Sequence, residues 1–430
     1  MSQSPPAGFR VPRVIKRNIA LFALSQSFTG AGMSFAYGFG PLIVMDLTGS
    51  ASLAGLSVGL IGISRFLVAY PVGKITDIYG RKPGILFGLS LALVGALIVG
   101  ASMMRYSFGL FVAGMLVFGM GMNAAQQLRV AATDMFPPHH RAQALGYLAM
   151  GSLVGLVVSP LLISLSDHVA LSLGQDPLGL PWFLLPVLIL PGMVLIGQVR
   201  PDPKEIGQQL HLYYPGYVAS SRIVETDTRF RAATFLRLPR VRLAIVANCA
   251  AQGNMAIVMV LTSLVLSHHG HSLTSIALSH MFHSAGMFAF TIPLGRLADR
   301  FGRDKVMFPG IITALVGALL VALTGLWATV TLGTFLVGLG WAAANVAATS
   351  LIADHAGTGQ RGRAIGVNET FAAAMSVSMA LLTGPLVEWS GLPATGLVAA
   401  AIAVPPLALY AAMRLRGSSK RSAAVPAQSD

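Results

Sequence analysis

Long apolar stretches make up most of the chain, and short polar loops separate them. None of them alternates between apolar and polar residues as the roughly ten-residue strands of a membrane barrel would. A helix needs about 20 mostly apolar residues to cross the hydrocarbon core of a bilayer. The pattern therefore predicts an all-α membrane protein with twelve transmembrane helices, which we number as spans one to twelve: 19–44, 52–74, 83–104, 107–133, 142–166, 181–199, 242–267, 272–294, 306–326, 328–352, 363–387 and 392–413.

The composition agrees with a lipid environment. Hydrophobic residues make up 54% of the 430 residues, and only 10% are charged, against about 25% in soluble domains. The first apolar stretch runs to about 26 residues with no clean small-residue cleavage site before its end, so we interpret it as span one and not as a signal peptide. The sole cysteine, Cys249, lies inside span seven, which rules out an intrachain disulfide.

The net charge of +14 raises the question of nucleic-acid binding, but the distribution of the charge answers it. Of the 29 Lys and Arg residues, all but Arg65, Arg105 and Arg129 lie in the N-terminal segment, in every second loop or in the C-terminal tail. This one-sided distribution is typical of the cytoplasmic loops of membrane proteins. We therefore predict a protein of the cell inner membrane with both termini in the cytoplasm and no nucleic-acid partner.

One long loop divides the spans into two groups of six. It lies between spans six and seven and is about forty residues long, whereas every other loop is short. We predict an N-terminal six-helix bundle at 1–200, a cytoplasmic central loop at 201–240, and a C-terminal six-helix bundle at 241–430 that ends in a short basic tail.

Two loop motifs occur once in each half. Residues 73–83 read GKITDIYGRKP and residues 295–305 read GRLADRFGRDK, each after the second span of its half. DMFPPHHRAQALG at 134–146 and DHAGTGQRGRAIG at 354–366 precede the fifth span of each half. Two motif pairs in nearly the same register indicate a tandem duplication.

These features resemble the major facilitator superfamily of secondary transporters, whose two halves are repeats of each other. The resemblance implies a conformational latch that is made only when the cytoplasmic side is closed. Asp77 would cap the start of span eleven near Arg361, and Asp299 would lie near Arg141. The resemblance further implies bridges from Arg81 to Asp134 and from Arg303 to Asp354, close helix approach at Gly73 and Gly295, and tight turns at Gly80 and Gly302. The alternative is that these are solvated loop charges.

Ionisable residues within spans are costly and point to function. Arg65 in span two and Glu369 in span eleven lie at similar depths. Spans two and eleven are neighbours in this family, and the resemblance therefore implies that the two residues pair or share substrate and proton. A structural ion pair is the alternative. His280 and His283 share one face of span eight and follow His268, His269 and His271. Imidazoles carry protons or bind transition metals, so a metal role stays open.

Several amides and one phenol could line a central cavity, because spans one, four and seven line it in this family. Interhelical hydrogen bonding is the alternative for each of them. The candidates are Gln26, Tyr37, Asn123, Gln126, Asn248, Gln252 and Asn254. Span four lacks the Arg before Gln-Gly that proton-linked drug exporters of the family carry, which leaves both import and export open.

We therefore predict a secondary active transporter that moves a small organic solute by alternating access, with protons as the coupling ion. No phosphate-binding loop, zinc-protease motif or nucleophile elbow occurs in the chain, so neither an ATP-driven pump nor an enzyme is indicated. We expect no cofactor and a monomer in the lipid bilayer. The alternatives are a divalent-metal transporter that uses the span-eight histidines, and a membrane sensor that does not transport.

Overall fold

The structure is a computed structural model that describes residues 11–137, 140–174, 176–214, 231–356 and 361–422. Apart from one short 3-10 helix at Ala51–Leu53, the regular elements in these ranges are α-helices. Within the same ranges, nine helices are long and apolar enough to cross a membrane. The all-α membrane fold predicted from the sequence is confirmed.

The chain forms two compact units. Unit 1 comprises residues 1–36 and 60–222, and unit 2 comprises residues 37–59 and 223–430. The helices of the first half are α1 (Arg13–Thr29), α2 (Ala31–Thr48), α3 (Leu56–Tyr79), α4 (Arg81–Met104), α5 (Phe108–Ala125), α6 (Gln127–Asp134), α7 (Arg141–Leu173), α8 (Leu180–Gly197), α9 (Pro203–Gln208) and α10 (Leu210–Tyr213). Most of α2 and the first residues of α3 cluster with unit 2.

The second half continues in the same manner. Its helices are α11 (Ala232–Phe235), α12 (Pro239–His268), α13 (Leu273–Ala289), α14 (Thr291–Phe301), α15 (Asp304–Leu323), α16 (Trp327–His355), α17 (Arg361–Ala401) and α18 (Val404–Ser422). Helix starts carry local caps where the loops are short. Ser107 caps α5 by accepting a hydrogen bond from the amide of Leu110, and Ser272 caps α13 by accepting one from the amide of Ser275.

The number of candidate spans differs from twelve for local backbone reasons. Span one is divided at Gly30 into α1 and α2, and span eight is divided at Phe290 into α13 and α14. Spans eleven and twelve are helical stretches that meet at a kink at Gly391, whose φ of 81° is not helical. The exact count of twelve is therefore not confirmed in the described residues, because spans one and eight are interrupted and spans eleven and twelve are joined at this kink.

Small residues set the closest helix contacts in both halves. In unit 1, α4 packs on α5, and a Cβ on Gly121 would overlap the backbone of Ala92. In unit 2, α15 packs on α16, and a Cβ on Gly340 would overlap the backbone of Gly310. Membrane helices approach each other closely through such small residues. Spans three and four therefore pack as spans nine and ten do, in agreement with the duplicated motifs.

The first part of the central loop packs on unit 1. The helix α9 contacts α4 and α6, and the Tyr214 hydroxyl, just after α10, donates a hydrogen bond to the Met135 carbonyl over 3.1 Å. Burial raises the pKa of the Tyr214 phenol well above its usual value, so Tyr214 stays protonated and remains a donor. Residues 201–214 are thus part of unit 1.

Candidate functional site

The first loop motif forms a three-residue charge cluster in unit 1. Arg81 begins α4 and follows Gly80, whose φ of 105° ends the preceding helix in a conformation that favours glycine. The Arg81 Nε donates to Asp134 Oδ2 over 2.8 Å, and its Nη1 lies 3.4 Å from Asp77 Oδ1. We call these residues, Asp77, Arg81 and Asp134, triad 1.

The second copy of the motif forms the same cluster in unit 2. The Arg303 Nε donates to Asp354 Oδ2 over 3.2 Å, and Nη1 donates to Asp299 Oδ1. Burial acts to lower the pKa of Arg303, but hydrogen bonds and charges of Asp299 and Asp354 raise it above its ordinary value, which keeps the guanidinium charged. We call Asp299, Arg303 and Asp354 triad 2, and the turn before it again has a glycine, Gly302, with φ of 103°.

The remaining latch residues have varied surroundings. A Cβ on Gly73 would meet no atom within 4 Å, and one on Gly295 would meet only the Val346 side chain at 3.8 Å. The close helix approach expected at these two glycines stays a prediction. The contacts expected of Asp77 with the start of span eleven and of Asp299 with Arg141 stay predictions, and the side chain of Arg361 lies outside the described residues.

Sequence reasoning missed Asp202, which bonds the backbone beside triad 1. Its carboxylate accepts hydrogen bonds from the backbone amides of Arg81 (3.0 Å) and Lys82 (2.9 Å), which are the first two residues of α4. It also caps α9 by accepting from the amide of Lys204 (2.8 Å). A Cβ on Gly80 would lie 2.7 Å from Asp202 Oδ2, so glycine is needed for this approach. The Asp-Pro pair signalled only the local cap on α9.

Two lysines complete the polar surroundings of triad 1. Lys82 Nζ donates to the Gly197 carbonyl at the end of α8 (2.5 Å). Lys204 Nζ donates to the Asp77 carbonyl. The end of span six and the beginning of the central loop are therefore bonded to the motif loop by several polar contacts.

The two span-eight histidines lie in the interior of unit 2. His280 and His283 are each 1% exposed. His280 Nε2 lies 2.9 Å from the Ser263 hydroxyl of α12, and its Nδ1 has no hydrogen-bond partner. His283 Nδ1 lies 2.9 Å from the Thr334 carbonyl of α16. Because a carbonyl only accepts hydrogen bonds, His283 carries a proton on Nδ1.

Glycines make room for both imidazoles. A Cβ on Gly38 of α2 would lie 3.2 Å from His280 Cδ2, and one on Gly338 of α16 would lie 2.2 Å from the His283 carbonyl oxygen and 3.3 Å from His283 Nδ1. Of the earlier histidines, His271 Nε2 lies 2.9 Å from the Gly325 carbonyl, and His269 Nδ1 lies 2.8 Å from the Val265 carbonyl. In the described part of the chain, no group of three or more His, Cys, Asp or Glu residues is arranged to hold a metal ion.

The predicted cavity residues occupy different environments. Asn123 Nδ2 donates to the Ile61 carbonyl (3.0 Å), Asn248 Oδ1 accepts from Asn345 Nδ2 (3.1 Å), and Asn254 Nδ2 donates to the Ala399 carbonyl (2.8 Å). These are the interhelical hydrogen bonds that the sequence left open as an alternative. Gln126 is exposed, whereas Gln26, Tyr37 and Gln252 are partly buried.

Arg65 and Glu369 lie in different units. Arg65 is on α3 and is exposed, and Glu369 is on α17 and is partly buried. Glu369 Oε1 lies 3.4 Å from Asn368 Nδ2 of the preceding residue. The pairing of Arg65 with Glu369 stays a prediction.

Comparisons with known proteins agree on one family. A family profile described as Major Facilitator Superfamily matches residues 22–223 and 243–429. The chain is 26% identical over 409 residues to the uncharacterized MFS-type transporter YddS of Bacillus subtilis, with 93% of this chain and 92% of that protein covered. It is also 26% identical over 384 residues to the riboflavin transporter RfnT of Brucella anthropi, with 87% and 90% covered.

Solved structures share the fold at low sequence identity. The nucleoside transporter NupG superposes with a TM-score of 0.66 at 12% identity, with 93% of this chain and 99% of that chain covered. A bacterial homolog of the human lysosomal transporter Spinster gives a TM-score of 0.62 at 14% identity, with 94% and 97% covered. These likenesses establish the architecture.

Proposed function

The chain belongs to the major facilitator superfamily, and we propose that it is a secondary active transporter that moves a small organic solute across the cell inner membrane by alternating access, coupled to protons. Membership makes it a multi-span membrane transporter. The observation that carries the mechanism is the pair of matching triads, one in each half, built on repeats of the same motif.

The exposure of the two leading aspartates supports a latch. The Asp77 and Asp299 side chains are 74% and 68% exposed, whereas Asp134 is 23% exposed. Each leading aspartate has one arginine beside it and an outward-facing carboxylate. A helix N-terminus carries about half a positive charge and suits such a carboxylate. We propose that Asp77 binds the start of span eleven, and Asp299 the start of span five, only in the state closed to the cytoplasm.

Proton coupling is proposed for the buried histidine pair. An ionisable side chain within a membrane segment is a functional candidate by default, and imidazole changes its charge nearest to neutral pH. His280 keeps an unpartnered Nδ1 atom inside unit 2. We propose that protonation there alters the free-energy difference between the two transport states, with Arg65 and Glu369 as a second charge pair.

The nature of the solute is proposed from the polar residues and the relatives. The cavity candidates are uncharged amides and a phenol, which favours a neutral polar solute over an ion. One relative transports riboflavin, and a nucleoside transporter shares the fold. Riboflavin and nucleosides are accordingly the first solutes to test, and the direction of transport is tested with them.

The two alternatives are less well supported. His280 and His283 bond a hydroxyl and a carbonyl, and the described residues place no third metal ligand near them. A sensor would bind its ligand without accumulating it. The proposed orientation, with both termini in the cytoplasm, follows from the distribution of Lys and Arg and is tested with a C-terminal reporter enzyme.

Purified protein in proteoliposomes provides the test of the proposed function. A pH gradient of either polarity is imposed, and the uptake of labelled riboflavin, uridine and Zn²⁺ is followed with empty liposomes as the control. We expect accumulation of one organic solute with one polarity only, and its loss on adding a protonophore. Accumulation that survives the protonophore would refute proton coupling, Zn²⁺ accumulation would favour the metal alternative, and saturable binding without accumulation would favour the sensor.

A further inference from the structure

Hydroxyl side chains follow one face of α13 toward the histidine pair. Ser272, Ser275 and Ser279 are three or four residues apart, and His283 continues the same spacing, which places them on one helical face. Their exposure falls along the helix: Ser272 is exposed, Ser275 is intermediate and Ser279 is buried. The line therefore leads from the end of the helix at His271 into the interior of unit 2.

Two of the polar contacts are made between helices. Ser279 Oγ lies 2.5 Å from Thr331 Oγ1 of α16, and Ser263 Oγ of α12 lies 2.9 Å from His280 Nε2. Buried hydroxyls in helices often bond to the carbonyl four residues earlier, as Thr262 and Thr334 do over 2.7 Å. In the described part of the chain, Thr331 and Ser263 form no such bond to their own helix. Their hydroxyls are directed to span eight.

Ser272 and Ser275 form the outer part of the line. Their hydroxyl oxygens are 3.0 Å apart, and the Ser275 carbonyl accepts hydrogen bonds from Trp327 Nε1 (2.9 Å) and Ser279 Oγ (3.2 Å). Four residues of helix, a rise of about 6 Å, separate Ser275 from Ser279 and Ser279 from His283. A single water that bridges two polar groups covers such a step.

We infer that Ser272, Ser275, Ser279 and Thr331 form a proton path that carries protons between the His271 end of α13 and the imidazoles of His280 and His283. Each hydroxyl accepts a proton on an oxygen lone pair and releases its own hydrogen to the next acceptor, so no covalent change remains. The inference rests on the proposed coupling role of the histidines. It assigns the path that supplies their protons.

Few charged groups compete with this path along the helices packed on α13. The titratable and charged residues of these helices are Arg240, Arg242, Cys249 and His268 on α12, Arg296, Asp299 and Arg300 on α14, Asp354 and His355 on α16, and Tyr37 and Asp46 on α2. Cys249 and Tyr37 lie within their helices, and Tyr37 directly precedes Gly38. Asp46 lies eight residues beyond Gly38, which is about 12 Å along a helix. The direct partners of the two imidazoles are a hydroxyl and a carbonyl.

The test measures proton exchange at the imidazoles and needs no transported solute. Full-length protein with ¹⁵N-labelled histidine is reconstituted into lipid nanodiscs, and NMR follows exchange between water protons and the His280 and His283 N–H groups, assigned from the single His→Gln variants. We expect exchange in the unaltered protein and a loss of at least about tenfold in Thr331→Val and Ser279→Ala. Thr331→Ser, which keeps the hydroxyl, should restore it.

Thr383→Val is the matched control. Thr383 is also buried, but its hydroxyl donates to the Met379 carbonyl of its own helix over 2.7 Å. Exchange as fast in the Ser279→Ala/Thr331→Val double variant as in the control, or no exchange in the unaltered protein, would overturn the path. If exchange falls while the pH dependence of transport is unchanged in His280→Gln, the path stands and the coupling role of the histidines fails.

Discussion

Asp202 offers the sharpest test of how the first triad is held in place. Its carboxylate accepts hydrogen bonds from the amides of Arg81 and Lys82, so it caps a helix that begins about 120 residues earlier. Gly80 precedes that helix and has no side chain with which to cap it. Replacing Asp202 with Ala leaves two amides of α4 without this acceptor and removes a negative charge from a helix N-terminus.

The size of the effect follows from these contacts. Loss of a side-chain N-cap costs about 0.5 to 2 kcal/mol, and the lost charge at the helix dipole adds about 0.3 to 1 kcal/mol. We expect Asp202→Ala to lower the free energy of unfolding of unit 1 by about 1 to 3 kcal/mol. For a domain of roughly 200 residues, this corresponds to a fall in melting temperature of about 2 to 12 °C. Asp202→Asn keeps one acceptor oxygen, so its melting temperature should lie between those of the unaltered protein and Asp202→Ala.

The assay uses Trp182, which is fully buried in α8 of unit 1. With the other three tryptophans replaced by Phe, the emission of Trp182 follows the thermal unfolding of this unit. Glu205→Ala is the matched control. Glu205 is exposed on α9, the short helix that Asp202 caps, and its replacement also removes one negative charge. If Asp202→Ala melts within about 1 °C of Glu205→Ala, the cap does not stabilise unit 1.

Two further predictions concern the latch and the charge pair. Asp77→Asn should weaken the state closed to the cytoplasm by about 0.3 to 1 kcal/mol, because an amide interacts less than a carboxylate with a helix N-terminus. Thiol labelling of a cysteine introduced at Tyr79 should then become faster, and an unchanged labelling rate would rule out the latch. Arg65→Ala combined with Glu369→Ala should cost less stability than the sum of the two single changes, since removing one partner leaves the other uncompensated; strictly additive melting shifts would rule out the pairing.

The architecture and the Asp–Arg pair within each motif could be predicted from the sequence because they depend on local patterns. Apolar length specifies spanning helices, and the repeated spacing of Gly, Asp and Arg specifies the turns. The i,i+4 pairs Asp77–Arg81 and Asp299–Arg303 follow from that spacing alone. The bridges to Asp134 and Asp354 required the family resemblance, since they join positions more than fifty residues apart.

Other features could not be read from the sequence because they depend on packing. The partner of His280 is Ser263, on a different helix, and nothing in the apolar run of span seven distinguishes this serine from its neighbours. The exact number of twelve spans is not confirmed, because the helices are interrupted at Gly30 and Phe290 and kinked at Gly391. The local conformation of single residues decides where a helix ends, whereas the hydropathy of a span is averaged over about twenty residues.

The duplication supplies two copies of one motif, but the central loop makes them unequal. In triad 1 the Asp134 side chain is 23% exposed, whereas Asp354 in triad 2 is 54% exposed. The difference has a physical source: α9 contacts α6, and a Cβ on Gly207 would lie 3.0 Å from the Asp134 carbonyl. An exposed ion pair contributes about 0 to 1 kcal/mol and weakens with salt, while a shielded and hydrogen-bonded pair is screened less. The Arg81–Asp134 pair of triad 1 is therefore screened less than the Arg303–Asp354 pair of triad 2, and the helix that shields it, α9, lies outside the repeat that revealed the two triads.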